Sequence, residues 1–196
     1  MITLTKDNAV DVFKFVIPTL GNDVYRRNLM YLSVKVTDNT VRLLSANGFS
    51  LKFVTFELVN EFETEDCEFL IAGSDLKKFF TMVKSEKEKT YGMDLLVKLS
   101  PEKLTVGNVQ LNHEQPQYEE YPNLERIISG ETVGKINGKL YTGVNPEQVA
   151  LCMKGVPKDQ HFKMTASSEG DPIKFETNQQ DNGLTYHALI MPIIIK

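Results

Sequence analysis

Residues 2–21, Ile2-Thr3-Leu4-Thr5-Lys6-Asp7-Asn8-Ala9-Val10-Asp11-Val12-Phe13-Lys14-Phe15-Val16-Ile17-Pro18-Thr19-Leu20-Gly21, hold the pattern on which the fold turns. The alternating ITLTK reads as a short strand. Asp7 is a good N-cap, and Val10, Phe13, Val16 and Ile17 then recur on one helix face. Pro18 and Gly21 close that helix. Three alternating stretches follow, LMYLSVKV (29–36), TVRLLSA (40–46) and SLKFVTFEL (50–58), parted by turns at Asp38-Asn39 and Asn47-Gly48.

The same order returns twice. CEFLIAG (67–73) leads to Ser74 as N-cap, a helix bearing Leu76, Phe79, Phe80 and Val83, and strands at DLLVKLS (94–100), KLTVGN (103–108) and VQLNHE (109–114), with a turn at Ser100-Pro101. GKLYTGV (138–144) leads to Asn145 as N-cap with Pro146 at the first helical position. Val149, Cys152, Met153 and Val156 make that helix's apolar face, and HFKMTAS (161–167), PIKFET (172–177) and LTYHALIMPIII (184–195) finish the chain. Caps at 7, 74 and 145 stand 67 and 71 residues apart. No residue motif recurs, only the order of elements, and a tandem unit at near-constant spacing outweighs any single element. Helices on one face of antiparallel sheets make the class α+β.

Composition sets the outer bounds. The chain has 196 residues, a formal charge of −4, 41 % hydrophobic and 24 % charged residues, which is ordinary for a globular protein. No apolar stretch reaches the ~18–20 residues of a membrane span. The first residues, MITLTKDNAV, lack the basic start and apolar core of a secretory signal. Cys67 and Cys152 cannot build a disulfide framework, so a cytoplasmic location is expected.

Four stretches resemble one family, the bacterial sliding clamps (DNA polymerase III β subunits). Tyr186-His187-Ala188-Leu189-Ile190-Met191-Pro192-Ile193 is similar to the clamp's closing strand. Tyr121-Pro122-Asn123-Leu124-Glu125-Arg126-Ile127-Ile128 resembles the segment joining clamp domains, and Ser45-Ala46-Asn47-Gly48-Phe49-Ser50-Leu51 the Thr-Asp-Gly-His-x-Leu turn. Arg26-Arg27-Asn28-Leu29 precedes the first long strand as in the family. The stretches occur in the family's order, and Ile194 departs from it where a basic residue is usual.

The resemblance implies a clamp fold built from three of the family's six units. Residues 1–120 are then a complete two-unit domain, 121–130 a connector and 131–196 a half domain. It implies a non-enzymatic processivity factor, without cofactor or metal, that encircles duplex DNA and docks a polymerase's peptide motif in an apolar pocket. Carried over position by position, Leu29, Ala46, Gly48, Phe49 and Leu51 form one pocket wall, Pro122, Arg126 and Ile127 the junction, and Pro172, Leu189, Ile190, Met191, Pro192 and Ile193 the C-terminal wall. From the residues alone, Leu189 to Ile195 is simply a buried core strand, with Pro192 marking an edge or bulge. The partners implied are sequence-independent double-stranded DNA, polymerase or other clamp-binding peptides, and a clamp loader. The alternative is a non-ring, clamp-derived adaptor or competitor of a host clamp.

Charge is segregated along the chain. Residues 57–68 hold six acids and no Lys or Arg, whereas 74–89 hold five lysines against three acids. Basic helices facing phosphates beneath an acidic exterior suit a protein that slides without reading bases. Arg26 and Arg27 are the foremost DNA-facing candidates, followed by Lys77, Lys78, Lys84, Lys14, Lys154 and Lys158, although solubility alone explains many surface lysines.

Enzymatic sites find no support. His113, His161 and His187 are scattered without metal-ligand spacing, GNDVYRR lacks the phosphate-loop form, and Cys152 has no evident base. The third unit keeps an apolar helix face and open sheet edges with no fourth unit to cover them. A second copy would cover them in a symmetric homodimer. Two such dimers would supply the twelve units of a closed ring, so a tetramer is expected over a dimer.

Overall fold

The computed structural model describes residues 1–23, 25–58, 65–86, 95–116, 121, 143–157, 161–166, 171–177 and 183–193. The first unit comprises β1 (Ile2–Thr5), α1 (Lys6–Val16), β2 (Tyr31–Thr37), β3 (Thr40–Ala46) and β4 (Ser50–Glu57). The second comprises β5 (Cys67–Ala72), α2 (Gly73–Ser85), β6 (Leu96–Leu99), β7 (Lys103–Val106) and β8 (Val109–Asn112). The third supplies α3 (Pro146–Met153), β9 (Phe162–Thr165), β10 (Ile173–Thr177) and β11 (Thr185–Ile190). Its expected first strand, 138–144, lies mostly outside the described residues.

Two of the three predicted caps move. Helix α1 starts two residues early, because the Thr5 hydroxyl accepts from the Asn8 amide at 3.3 Å and leaves Asp7 in the first turn. There the Asp7 carboxylate still favours the helix N-terminus. Strand β5 runs straight into α2 with Ala72 as N-cap, and no side chain caps this end. Gly73 is needed because a Cβ there would lie 2.8 Å from the Met30 carbonyl oxygen. Asn145 caps α3 as expected, its Oδ1 accepting from Glu147 N at 2.8 Å, with Pro146 following.

With the caps at 5, 72 and 145, the helices share one frame. Four positions on stand Ala9, Leu76 and Val149; seven on, Val12, Phe79 and Cys152; eight on, Phe13, Phe80 and Met153. The frame stops there in α3: Val156, expected on its apolar face, lies beyond the helix, because Lys154 is extended and Gly155 takes a positive φ. The seventh residue is fully buried in every unit.

Units one and two exchange their first strands. The four-stranded sheet runs β1-β6-β7-β8, so β1 joins the second unit, while β5 pairs with β2 of the first. Helices α1 and α2 meet through Phe13, whose ring lies edge-on to Phe79 at 6.3 Å and Phe80 at 6.0 Å. Such geometry adds about 1 kcal/mol per pair to the burial itself.

The third unit joins differently. Its last strand, β11, pairs antiparallel with β4 from Thr185↔Thr55 to Ile190↔Ser50, making one seven-stranded sheet, β5-β2-β3-β4-β11-β10-β9. Beneath this seam the ends of α1 and α3 converge. Lys52, fully buried, donates to the carbonyls of Phe15 (3.1 Å) and Lys154 (2.7 Å), and Ser45 Oγ donates to the Val16 carbonyl (2.8 Å). These bonds satisfy helix-end acceptors that have no partner within the helix. Burial pushes the Lys52 ammonium down to about 7 and the Cys152 thiol up to about 11. Gly155 (φ +83°) lies so close to the Lys14 carbonyl that any side chain would collide with it.

Candidate functional site

The seam forms a cleft on the sheet face opposite the helices. Asn47-Gly48 turns β3 into β4, with Asn47 Oδ1 accepting from the Phe49 and Ser50 amides at 2.9 and 2.8 Å. Gly48 takes φ +89°, a conformation that favours glycine. The turn is fixed to α3 through Gln148, whose Oε1 accepts from Ser50 Oγ at 3.0 Å. Met191 N–H donates to the Phe49 carbonyl at 3.0 Å, extending the ladder past β11.

A cleft of about 720 Å³ opens between these segments. Its lining is Tyr25, Arg26, Asn28, Leu29, Ala46, Gly48, Phe49, Ser50, Leu51, Pro172, Leu189 and Met191. Leu51 and Leu189 are cross-strand partners on the β4–β11 seam. Leu29, Leu44, Ala46, Phe53 and Tyr121 pack with them as a small second core. Phe49 (59 % exposed) and Met191 (47 % exposed) stand at the mouth, where an apolar partner would gain by covering them.

Of the expected pocket residues, the structure brings Leu29, Ala46, Gly48, Phe49, Leu51, Pro172, Leu189 and Met191 to this cleft. Ile190 does not face it. Successive strand residues point to opposite faces, and Ile190 is fully buried in the helix-side core. Pro192 and Ile193 also lie off the lining, and Ile193 N–H donates to the Gly143 carbonyl at 2.8 Å. Pro122, Arg126 and Ile127 lie outside the described residues. Sequence reasoning missed Tyr25, Asn28 and Ser50 as lining residues, although Asn28 and Ser50 stand inside two of the quoted motifs.

Arg26, expected to face DNA, is among the residues that line this cleft. Its guanidinium sits 5.9 Å from the Phe49 ring centre and its Nε 3.6 Å from Asp23 Oδ2. Arg27 is exposed in a short 3₁₀ helix, Arg27–Met30. Lys77, Lys78 and Lys84 project from α2, with Lys78 3.4 Å from Asp75 and Lys84 lying 4.6 Å from the Phe80 ring. Lys14 pairs with Asp11 at 3.4 Å, and Asp7 is exposed on the same helix. Lys154 is exposed beyond α3, and Lys158 lies outside the described residues. Basic charge is therefore concentrated on α2 among the described helices.

His187 is a packed side chain. Its ring stacks on Phe53 at 4.2 Å, with Nε2 3.3 Å from Thr55 Oγ1 and Nδ1 3.0 Å from Glu176. Burial holds it down to about 4, outweighing the pull of Glu176, whose own carboxyl is lowered by the Lys174 ammonium at 2.6 Å. Among the described residues no group of three His, Cys, Asp or Glu side chains could hold a metal ion, and no helix is long and apolar enough to cross a membrane.

The architecture matches solved structures along essentially the whole chain. The DNA polymerase III β subunit of Borrelia burgdorferi, in complex with a natural product, superposes with a TM-score of 0.74 at 14 % identity, over 100 % of this chain and 63 % of that one. The sliding clamp of Bacillus subtilis gives 0.71 at 10 %, over 100 % and 64 %. The clamp of Pseudomonas aeruginosa bound to griselimycin gives 0.70 at 9 %, over 99 % and 65 %. The chain has the sliding-clamp fold. It spans about two-thirds of the length of these clamps. No family model and no curated protein sequence matches it.

Proposed function

We propose that this chain is a clamp-like processivity factor that docks a peptide motif of a DNA polymerase in the seam cleft and encloses duplex DNA as a ring of several copies. It acts without catalysis. Residues 1–120 serve as a full domain and 131–196 as half of another. The observation that carries the reading is the cleft itself, an apolar trough with a Leu51–Leu189 floor and an exposed Phe49 and Met191 at its mouth. Such a trough takes Leu or Phe anchors of a short peptide, and a methionine wall adapts to more than one of them.

The test is fluorescence anisotropy with a labelled peptide carrying adjacent Leu and Phe anchors. Phe49→Ala and Met191→Ala should each weaken binding about five- to tenfold, and both residues are exposed enough for the fold to survive. Undiminished binding in both would remove the cleft from the reading.

The non-ring adaptor remains as a second reading because of α1, whose outer face sets Asp7 and Asp11 against Lys14. A ring is retained on closed circular DNA and lost from linear ends, whereas an adaptor binds peptide and no DNA. Lys77→Glu with Lys84→Glu should abolish that retention while leaving peptide binding intact.

A further inference from the structure

In the third unit, the surface that units one and two bury against each other is partly open among the described residues: Val149, Met153 and Phe162 pack on the core but stay half-exposed. Met153 of α3 is half-buried, as is the matching Phe80 of α2, but Phe80 meets the ring of Phe13 on its sister helix and no sister helix faces Met153 among the described residues. Val149 is half-buried where Ala9 and Leu76 are fully enclosed. The sheet behaves likewise. The helix-side residues of β2 (Leu32, Val34, Val36) and β6 (Val97, Leu99) are enclosed, each strand taking the sister unit's first strand at its outer edge. On β9 the helix-side residues are Phe162 and Met164, the latter cross-strand from Phe175 and 66 % exposed. Among the described residues β9 pairs only with β10.

We infer that this open face is a self-association surface, closed by the same face of a second copy across a twofold axis that sets the two Met153 side chains against each other. The template is inside the chain. Units one and two share the helix frame but not the residues in it, and they still close on one another through the eighth helix residue of each. The third unit carries the same frame, so the shape complementary to its helix-plus-edge surface is another such unit. Val149, Met153, Phe162 and Met164 present no charge, which favours a like apolar partner over a charged ligand. An isologous contact also closes on itself, limiting open-ended growth. The inference supplies the joint that the ring reading needs, but it rests on the fold alone.

The experiment uses the full chain with Cys67→Ser and Met153→Cys, treated with a short bismaleimide. The expected product is a covalent dimer with no higher species, and Lys77→Cys in the same background gives none. Light scattering of the wild type should give a multiple of the 22.2 kDa chain mass, and Met153→Glu with Met164→Lys should weaken association at least about tenfold. A wild-type monomer at every concentration overturns the inference. So does an assembly that persists in the double variant, or a Met153 cross-link no stronger than the Lys77 control. Peptide anisotropy measured on the dissociated variant keeps the two readings apart: binding there leaves the cleft standing whatever becomes of this surface.

Discussion

Unit one makes two joints of opposite character. Toward unit two it exchanges a strand and stacks helix on helix, so the contact is apolar and rests on Phe13 against Phe79 and Phe80. Toward unit three it adds one strand edge to another and ties two helix ends through the buried Lys52. The first joint consumes the helix faces. The second leaves the α3 face only half-covered and opens a cleft on the far side of the sheet. One supersecondary unit thus serves as core or as cleft wall according to which of its edges is engaged.

That contrast can be broken first at the apolar joint. Phe13→Ala removes the ring that both α2 phenylalanines meet, and should cost about 3–5 kcal/mol in chemical denaturation. Its effect should appear as lost amide protection across both sheets, because each holds a strand from the other unit. Gly155→Ala strikes the second joint. The added methyl collides with the Lys14 carbonyl at a positive φ, and about 2 kcal/mol of destabilisation is expected. Hydrogen exchange should then quicken in β9–β11 more than in β1 and β6–β8; uniform quickening would mean that the joints are not separable.

The smallest and most specific effect is a slope. Lys52 releases its proton near pH 7 in the folded chain but near 10.5 when unfolded, so the unfolded state binds more protons between those values. Stability must therefore rise with pH across that window. Measured against Lys52→Met, the wild type should gain about 2 kcal/mol between pH 7 and pH 9. Parallel curves would show that Lys52 keeps its ordinary proton affinity.

The order of elements was readable because alternation and helical spacing are local signals, and TVRLLSA appears as β3 with its expected ends. The caps at Asp7 and Ser74 were misjudged because strand runs directly into helix, and the controlling contact at Gly73 comes from Met30, far away in sequence. The cleft was legible where its residues sit in the Asn47-Gly48 hairpin and on β11. The two-residue period of a strand already separates Leu189 and Met191 from Ile190. The place of Arg26 at the cleft was not legible, because its approach to Phe49 is a tertiary event with no trace in spacing. Lys52 was invisible for the same reason, since its partners at 15 and 154 are joined only by the β4–β11 seam.

The strand exchange also governs how the chain can be made. Ile2 pairs with Leu99, and Ser50 with Ile190. During synthesis, which runs from the N-terminus at about 5–20 residues per second, β1 must wait several seconds for β6 to leave the ribosome. The edge of β4 waits longer still for β11. In that interval an apolar strand and an unpaired edge are exposed to whatever lies nearby, so the contacts that close last are the ones most open to mispairing.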